Sequence, residues 1–346
     1  MTAASPILGR ITLKQGGGGR AMRALIERLF IKDFAAMPFE GVGLAAMDDG
    51  AAIPIGDGQF LIVTTDSHVI HPIFFPGGDI GRLSISGTVN DLAMMGATRP
   101  LGLTCGVILE EGFDVEKLEA IQKSIVDTCS EAGTVVVTGD TKVMGRGEVD
   151  GIVINTTGVT ITRRVVRDNG LRPGDRIVVT GTIGDNGLAV MAARHGLELE
   201  GDLNSDVAPL NGLIELALNT AADAITAMKD PTRGGVSSSL HEMASKSNVG
   251  VVLKESSIPL TDAVRSAGEI LGIDPLHVAN EGKAVIGVAP DAAEKLVAAL
   301  RTHPLGARAA IIGTCIIERP GSIILDTGFG KRLLAEPESE PLPRIC

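Results

Sequence analysis

Residues 64–100 read TTDSHVIHPIFFPGGDIGRLSISGTVNDLAMMGATRP. Just before them, the apolar residues 60–63 form a strand that ends in Thr64-Thr65-Asp66. The glycines of Pro76-Gly77-Gly78-Asp79 then open a helix whose polar side carries Asn90-Asp91. A buried strand delivering one carboxylate, then glycines, then a second carboxylate on a helix is the arrangement that a magnesium-bound polyphosphate needs. Carboxylates hold the hard cation, and glycines let backbone N–H groups approach phosphate oxygens with no side chain in between. Either aspartate alone fits a strand-end turn or a helix cap equally well, so the argument depends on further aspartates.

Those are present on both sides. Residues 45–52, AAMDDGAA, place Asp48 and Asp49 side by side; adjacent carboxylates repel, so they belong in a solvated turn or beside a cation. Residues 135–142, VVVTGDTK, repeat the first device, a β-branched strand ending in Asp140, with Lys142 two residues on. A second strand-end carboxylate, this one accompanied by a lysine, favours one cation and phosphate site over separate turns. Farther on, Asp230-Pro231-Thr232-Arg233-Gly234-Gly235 sets a carboxylate and a guanidinium before a helix N-terminus, where anions bind. Asn280-Glu281-Gly282-Lys283 precedes a strand and by position reads as an ordinary exposed turn. Near the start, ITLKQGGGGR at 11–20 contains Gly16, Gly17, Gly18 and Gly19, a run too costly in backbone entropy to form a stable element; it is expected to be a flexible leader or a mobile lid.

The chain's 346 residues can bury a large core and point to two domains. With no Trp, no Tyr and 8 Phe, base stacking is not an available binding mode, and a net charge of −11 opposes general affinity for nucleic acid or anionic membranes. No charged leader with an apolar core opens the sequence and no apolar run reaches membrane-span length, so a cytoplasmic location is expected. Cys105, Cys129, Cys315 and Cys346 lack metal-ligand spacing. The first three sit in apolar segments as small buried hydrophobes. His68 and His71 lack a third zinc ligand and suit a local polar role.

A long helix is predicted over 115–132 and a strand over 151–159. Residues 163–175, RRVVRDNGLRPGD, break the pattern and mark a domain boundary. Strands over 176–181, 249–253, 284–288, 310–315 and 322–326 then alternate with helices over 186–195, 210–221, 262–271 and 292–300. Both halves therefore read as α/β or α+β. Residues 331–346, KRLLAEPESEPLPRIC, carry no apolar period and are expected to be a mobile tail, able to span roughly 50 Å when extended. A thiol at the tip of such an arm is poor packing material but a good carrier.

These motifs together resemble the HypE family of hydrogenase maturation proteins, in the PurM-like ATP-binding superfamily. The resemblance lies in Thr65-Asp66-Ser67-His68, Phe74 to Gly81, Gly87 to Ala93, Gly139 to Val143, Asp230 to Gly235, Asn280 to Gly282 and the terminal Pro343-Arg344-Ile345-Cys346. It implies a two-domain PurM-like fold. Residues 1–20 would be a flexible glycine-rich arm, 21–165 a mixed-sheet ATP-binding domain that dimerises, 166–330 an α/β domain and 331–346 the mobile tail.

The implied activity is ATP-dependent dehydration of a carbamoyl group carried on Cys346, giving a thiocyanate that supplies cyanide to the [NiFe] hydrogenase iron. The implied partners are a HypF-like carbamoyltransferase, the HypC–HypD complex and a second copy of the chain. ATP and Mg2+ are the implied cofactors. The resemblance makes Asp48, Asp49, Asp66, Asp91 and Asp140 candidate magnesium ligands, with Asp230 a possible addition. Asp48, Asp66, Asp91, Asp140, Lys142, Asp230 and Arg233 would hold the nucleotide and Gly16 to Gly19 would cover its phosphates. Lys142 and Glu281 are the candidate bases beside Cys346. Lysine serves as a base only where its pKa is depressed and is otherwise a phosphate clamp. Selenophosphate synthetases place their reactive Cys near the N-terminal glycine loop; here no Cys precedes Cys105.

Overall fold

The computed structural model of the chain describes residues 10–197, 202–339 and 345. The N-terminal arm leads through a 3-10 turn into α1 (Gly19–Ile26), and after a π-helical turn the short α2 (Lys32–Phe34) follows. The first half then runs β1 (Ala51–Gly56), β2 (Gln59–His68), a two-residue pair β3 (Phe74–Phe75) and β4 (Gly78–Asp79), α3 (Ile80–Met94), β5 (Gly102–Glu110), α4 (Val115–Ala132), β6 (Val136–Met144) and β7 (Ile152–Thr162). Its sheet has the order β1-β2-β7-β5-β6, antiparallel except for the parallel β5–β6 pair that α4 connects.

Along β7, Ile152, Ile154, Thr156, Gly158 and Thr160 are buried while the residues between them are not. With a two-residue side-chain period, one face of the sheet is therefore covered, by α3 and α4, and the other is not. On β6 every residue from Val136 to Val143 is exposed, including Val136, Val137 and Val143.

The second half runs β8 (Arg176–Val179), α5 (Asp185–Arg194), α6 (Asn211–Ala221), β9 (Ile225–Lys229), α7 (Gly235–Ser247), β10 (Gly250–Lys254), α8 (Asp262–Leu271), β11 (Val285–Val288), α9 (Pro290–Leu300), β12 (Ala310–Ile316), β13 (Ile323–Asp326) and β14 (Lys331–Leu334). These strands form a second sheet, β14-β13-β10-β12-β8-β11-β9. Val178, Ile286 and Val288 pack with α6 and α9, whereas Ile177, Val179 and Val285 pack with α7. Helices on both faces explain why β8 and β11 read as unbroken apolar runs.

α3 joins the halves. Asp79 caps it, accepting from Gly81 N–H at 2.6 Å and Arg82 N–H at 3.1 Å. Ala93 and Met94 at its end enter the core formed by α6, α9 and the second sheet. Among the described residues, no helix is long and apolar enough to cross a membrane.

Both ends of the chain differ from expectation. Gly17, Gly18 and Gly19 are buried, and Gly19 begins α1 rather than extending a loose arm. Residues 331–334 pair with β13 and Leu334 is 2% exposed, so this part of the tail is a sheet edge. Only a four-residue KRLL segment marks it in the sequence, too short for a visible period. Beyond it, Ala21 N–H donates to Glu338 O (3.0 Å), Arg23 pairs with Glu336 (2.6 Å) and Lys14 with Glu338 (2.5 Å). These contacts join the two ends of the chain. Ile345 bridges Ile70 and is buried in the cluster containing Ile80 and Leu83. Pro343, Arg344 and Cys346 lie outside the described residues.

Candidate active site

Between the halves lies a cavity of about 650 Å³. Its walls come from Gly18, Gly19 and Arg23 of the arm, residues 47–51, Thr64 and Asp66 of β2, Gly87 and Asp91 of α3, Lys229 to Arg233, α7 and Glu281. The two-residue period of β2 sends Thr64, Asp66 and His68 to the same side, toward α3. There Gly87 admits them: a Cβ on it would stand 2.9 Å from His68 Cε1. Asp91 follows one helical turn later on the same face. Asp66 is internal to β2, because pairing with β7 continues to His68 opposite Ile154. The polar run Thr-Thr-Asp-Ser hides that pairing in the sequence. Asp140 is likewise internal to β6, aligned with Gly106 of β5.

The carboxylates meet with little exposed surface. Thr64 Oγ1 donates to Asp91 at 2.8 Å and lies 2.9 Å from Asp49 O. Asp49 pairs with Lys229 at 2.5 Å, leaving Asp49 Oδ2 without a hydrogen-bond partner. Asp230 and Glu281 are 6% and 3% exposed, and Glu281 Oε1 is also unpartnered.

Burial pushes Asp49 up to about 8 against the pull of Lys229, and Asp230 up to about 6. Burial, reinforced by neighbouring carboxylates, puts Asp91 and Glu281 well above the usual range. Burial also raises Asp66, but His68, Arg233 and the Ser67 N–H outweigh it and hold that carboxyl below its ordinary value. Buried acids that raise one another's pKa, with oxygens left unpaired, are what a site for a multivalent cation looks like before the cation neutralises it. Among the described residues no three His, Cys, Asp or Glu already stand close enough to ligate an ion, and Lys229 occupies Asp49.

The remaining predicted residues divide. Gly18 and Gly19 line the cavity, and Gly18 at φ +68 packs against Arg233; exposed Gly16 does not line it, nor does Gly17. Arg233 lies in the wall, ahead of the α7 N-terminus. Asp48 is also in the wall, but its carboxylate is taken by Arg167 Nε at 3.1 Å and the Asp168 N–H at 3.3 Å. Asp140 and Lys142 are not in the cavity of their own chain: they pair with each other at 2.8 Å on the open strand β6, about two-thirds exposed. Glu281, which position alone read as an exposed turn, is buried in the wall.

Three further residues belong to the site: Lys229, Glu242 and Arg23. Lys229 is 12% exposed and lies near Asp49, Asp168 (3.8 Å) and Glu242 (3.6 Å), which keep it charged despite burial. Glu242 in turn pairs with Arg23 at 3.1 Å, and Arg23 with tail residue Glu336. The only hint in the sequence is a lysine closing an apolar strand directly before Asp230.

Residues 47–162 match the model of the AIR synthase related protein N-terminal domain, and residues 172–326 that of the C-terminal domain. A putative hydrogenase expression/formation protein of Methanocaldococcus jannaschii is 48% identical over 340 residues, 97% of this chain and 100% of the relative. Carbamoyl dehydratase HypE of Rhizobium leguminosarum bv. viciae is 44% identical over 341 residues, 98% of this chain and 95% of the relative. Among solved structures, a HypE–HypF complex superposes with a TM-score of 0.83 at 44% identity, covering 91% of this chain and 100% of that one. A HypE structure in complex with ATP gives 0.79 at 40% identity, covering 97% and 100%. By sequence along nearly its whole length and by fold, the chain belongs to the HypE family of carbamoyl dehydratases, within the AIR synthase related proteins.

Proposed function

We propose that the chain dehydrates a carbamoyl group held as a thiocarboxamide on Cys346, using ATP bound in the cavity between its halves. The product, a protein thiocyanate, supplies cyanide for the [NiFe] hydrogenase iron. The observation that carries this reading is the convergence of Asp49, Asp66, Asp91, Asp230 and Glu281 on one buried cavity whose rim is bordered by residues 336–338 of the tail. Cys346 follows Glu338 by eight residues, a reach of roughly 26 Å.

An amide oxygen is a poor leaving group until it is phosphorylated. The carbamoyl oxygen attacks the γ-phosphorus of ATP, ADP leaves, and one N–H proton is lost. Loss of phosphate with the second N–H proton then gives S–C≡N. Magnesium, when bound, neutralises charge on the transferring phosphoryl group. Asp49, Asp66, Asp91 and Asp230 would hold it, with Lys229 retreating toward Asp168 and Glu242. Arg233 and the first turn of α7 would supply donors to the phosphates. Glu281 takes a nitrogen proton; its burial makes it a stronger base than an ordinary carboxylate once it is ionised.

The chain works as a homodimer joined along β6, whose free edge and exposed valines want covering. In that dimer Asp140 and Lys142 of one protomer serve the cavity of the other, Lys142 as a phosphate clamp. A HypF-like carbamoyltransferase charges the tail, and a HypC–HypD complex receives the cyanide.

Mass spectrometry after incubation with HypF, carbamoyl phosphate and ATP tests the carrier role. The expected result is carbamoylation and then loss of water on Cys346, both abolished by Cys346→Ala. Product formation by that variant refutes the reading. Asp91→Ala is expected to weaken magnesium-ATP binding at least about tenfold while leaving carbamoylation intact; unchanged affinity by calorimetry contradicts the metal assignment.

A further inference from the structure

The segment carrying Glu281 is held by a residue that does not line the cavity. Asp206, in the connection between α5 and α6, has a side chain only 3% exposed. Its Oδ1 accepts from Glu281 N–H at 3.1 Å, and its Oδ2 from Gly282 N–H at 3.2 Å and from Lys283 Nζ at 3.1 Å. Two successive backbone N–H groups and an ammonium thus converge on one carboxylate, a charge-assisted clamp.

The backbone packs as tightly as the hydrogen bonds require. A Cβ on Gly282 would stand 1.8 Å from Asp206 O, so only glycine lets the two segments come this close. From the opposite side, Asn90 Nδ2 donates to Glu281 O at 3.1 Å, while Asn90 Oδ1 accepts from Leu210 N–H at 2.7 Å. The Glu281 peptide is therefore gripped at its N–H by Asp206 and at its C=O by α3. Its side chain is left as the free part, with Oε1 unpartnered in the cavity wall.

The geometry points to Asp206 as the positioning residue for Glu281, aiming the Glu281 carboxylate at the carbamoyl nitrogen without touching substrate. This rests on the reading of Glu281 as a base in the dehydration. The charges facing Glu281 are Asp230, Asp206, Asp66 and Arg233. Asp206 thus also contributes negative charge close to the base, which favours proton uptake.

Asp206→Asn keeps the shape of the side chain but loses one acceptor and the charge. A double-mutant cycle with Glu281→Gln, in the full-length chain carbamoylated by HypF, separates aiming from general structural damage. The measurements are the single-turnover rate of thiocyanate formation, the magnesium-ATP dissociation constant and the melting transition. Glu281→Gln is expected to slow dehydration about 100-fold or more.

Asp206→Asn alone is expected to slow it at least about tenfold, with the dissociation constant changed less than about threefold, and to add less than about a further twofold in the Glu281→Gln background. An equal loss in both backgrounds, or loss of nucleotide affinity in step with rate, overturns the assignment. If Glu281→Gln dehydrates normally, the reading of Glu281 falls first, and a slow Asp206→Asn would then need another cause. Should Asp206→Asn fail to melt cooperatively, Asp206→Glu takes its place. It keeps the charge and the pairing with Lys283 but moves the acceptors by one methylene, and the same pattern is expected.

Discussion

Residue by residue, four of the cavity's acids, Asp49, Asp91, Asp230 and Glu281, are held above their ordinary pKa, and this gives the molecule a definite pH signature. Asp49 titrates near 8 and Asp230 near 6, both raised by burial, and Asp91 and Glu281 lie well above the carboxylate range. A carboxyl with a raised folded-state pKa binds more protons folded than unfolded. Its stabilisation is complete below the unfolded value near 4 and is lost as pH rises through the folded value. The ligand-free chain is therefore expected to melt at progressively lower temperature between about pH 5 and pH 8.5. Magnesium-ATP must displace those protons, so its stabilising effect should grow over the same range. Calorimetric titration in two buffers of different ionisation heat should show proton release at pH 7; a buffer-independent heat would remove the carboxylates from the metal site. Asp49 was legible beside glycine, Asp66 at an apparent strand end, Asp91 on the polar side of a helix and Asp230 ahead of a helix N-terminus. Lys229 and Asp206 were not, because a single Lys or Asp in sequence carries no sign of what it will face.

At the scale of elements, α3 does the organising. It is capped by Asp79, buried on nearly every side and planted between the two sheets, so it carries Asp91 into the cavity and Asn90 to the backbone of Glu281. Asp79→Ala is expected to cost about 1 kcal/mol in chemical denaturation through loss of two N-terminal hydrogen bonds, with magnesium-ATP affinity changed less than twofold. A large affinity loss would mean that the cap, and not the helix body, fixes Asp91. Element types were read correctly for α3, α4 and α8 and for most strands of the second half. β1, β9 and β14 were missed. β1 contains Pro54, β9 is five residues with a lysine at its end, and β14 is four residues of which two, Lys331 and Arg332, are charged. Each is a strand because a neighbour supplies its hydrogen bonds, which local propensity does not report.

On the scale of the whole molecule, Asp140 and Lys142 stand exposed on β6, outside the cavity of their own chain. If the dimer brings them to the opposite cavity, two inactive variants should rescue each other. Mixing Asp91→Ala and Lys142→Ala chains after reversible dissociation is expected to restore about a quarter of the sites, since half the dimers are mixed and each mixed dimer has one intact site. No recovery, with mixed dimers confirmed by native mass spectrometry, would place Lys142 in its own chain's chemistry or in none. The sequence by itself determined the alternation of elements, the two α/β halves and the acidic and glycine motifs, because these follow from local periodicity and residue chemistry. Only the tertiary structure decided which acids share a cavity, that Lys229 stands among them, that Glu281 is buried and gripped, and that both chain ends pack together. Those facts depend on contacts between residues scores of positions apart, and the burial that raises Asp49, Asp91, Asp230 and Glu281 exists only once the halves close on each other.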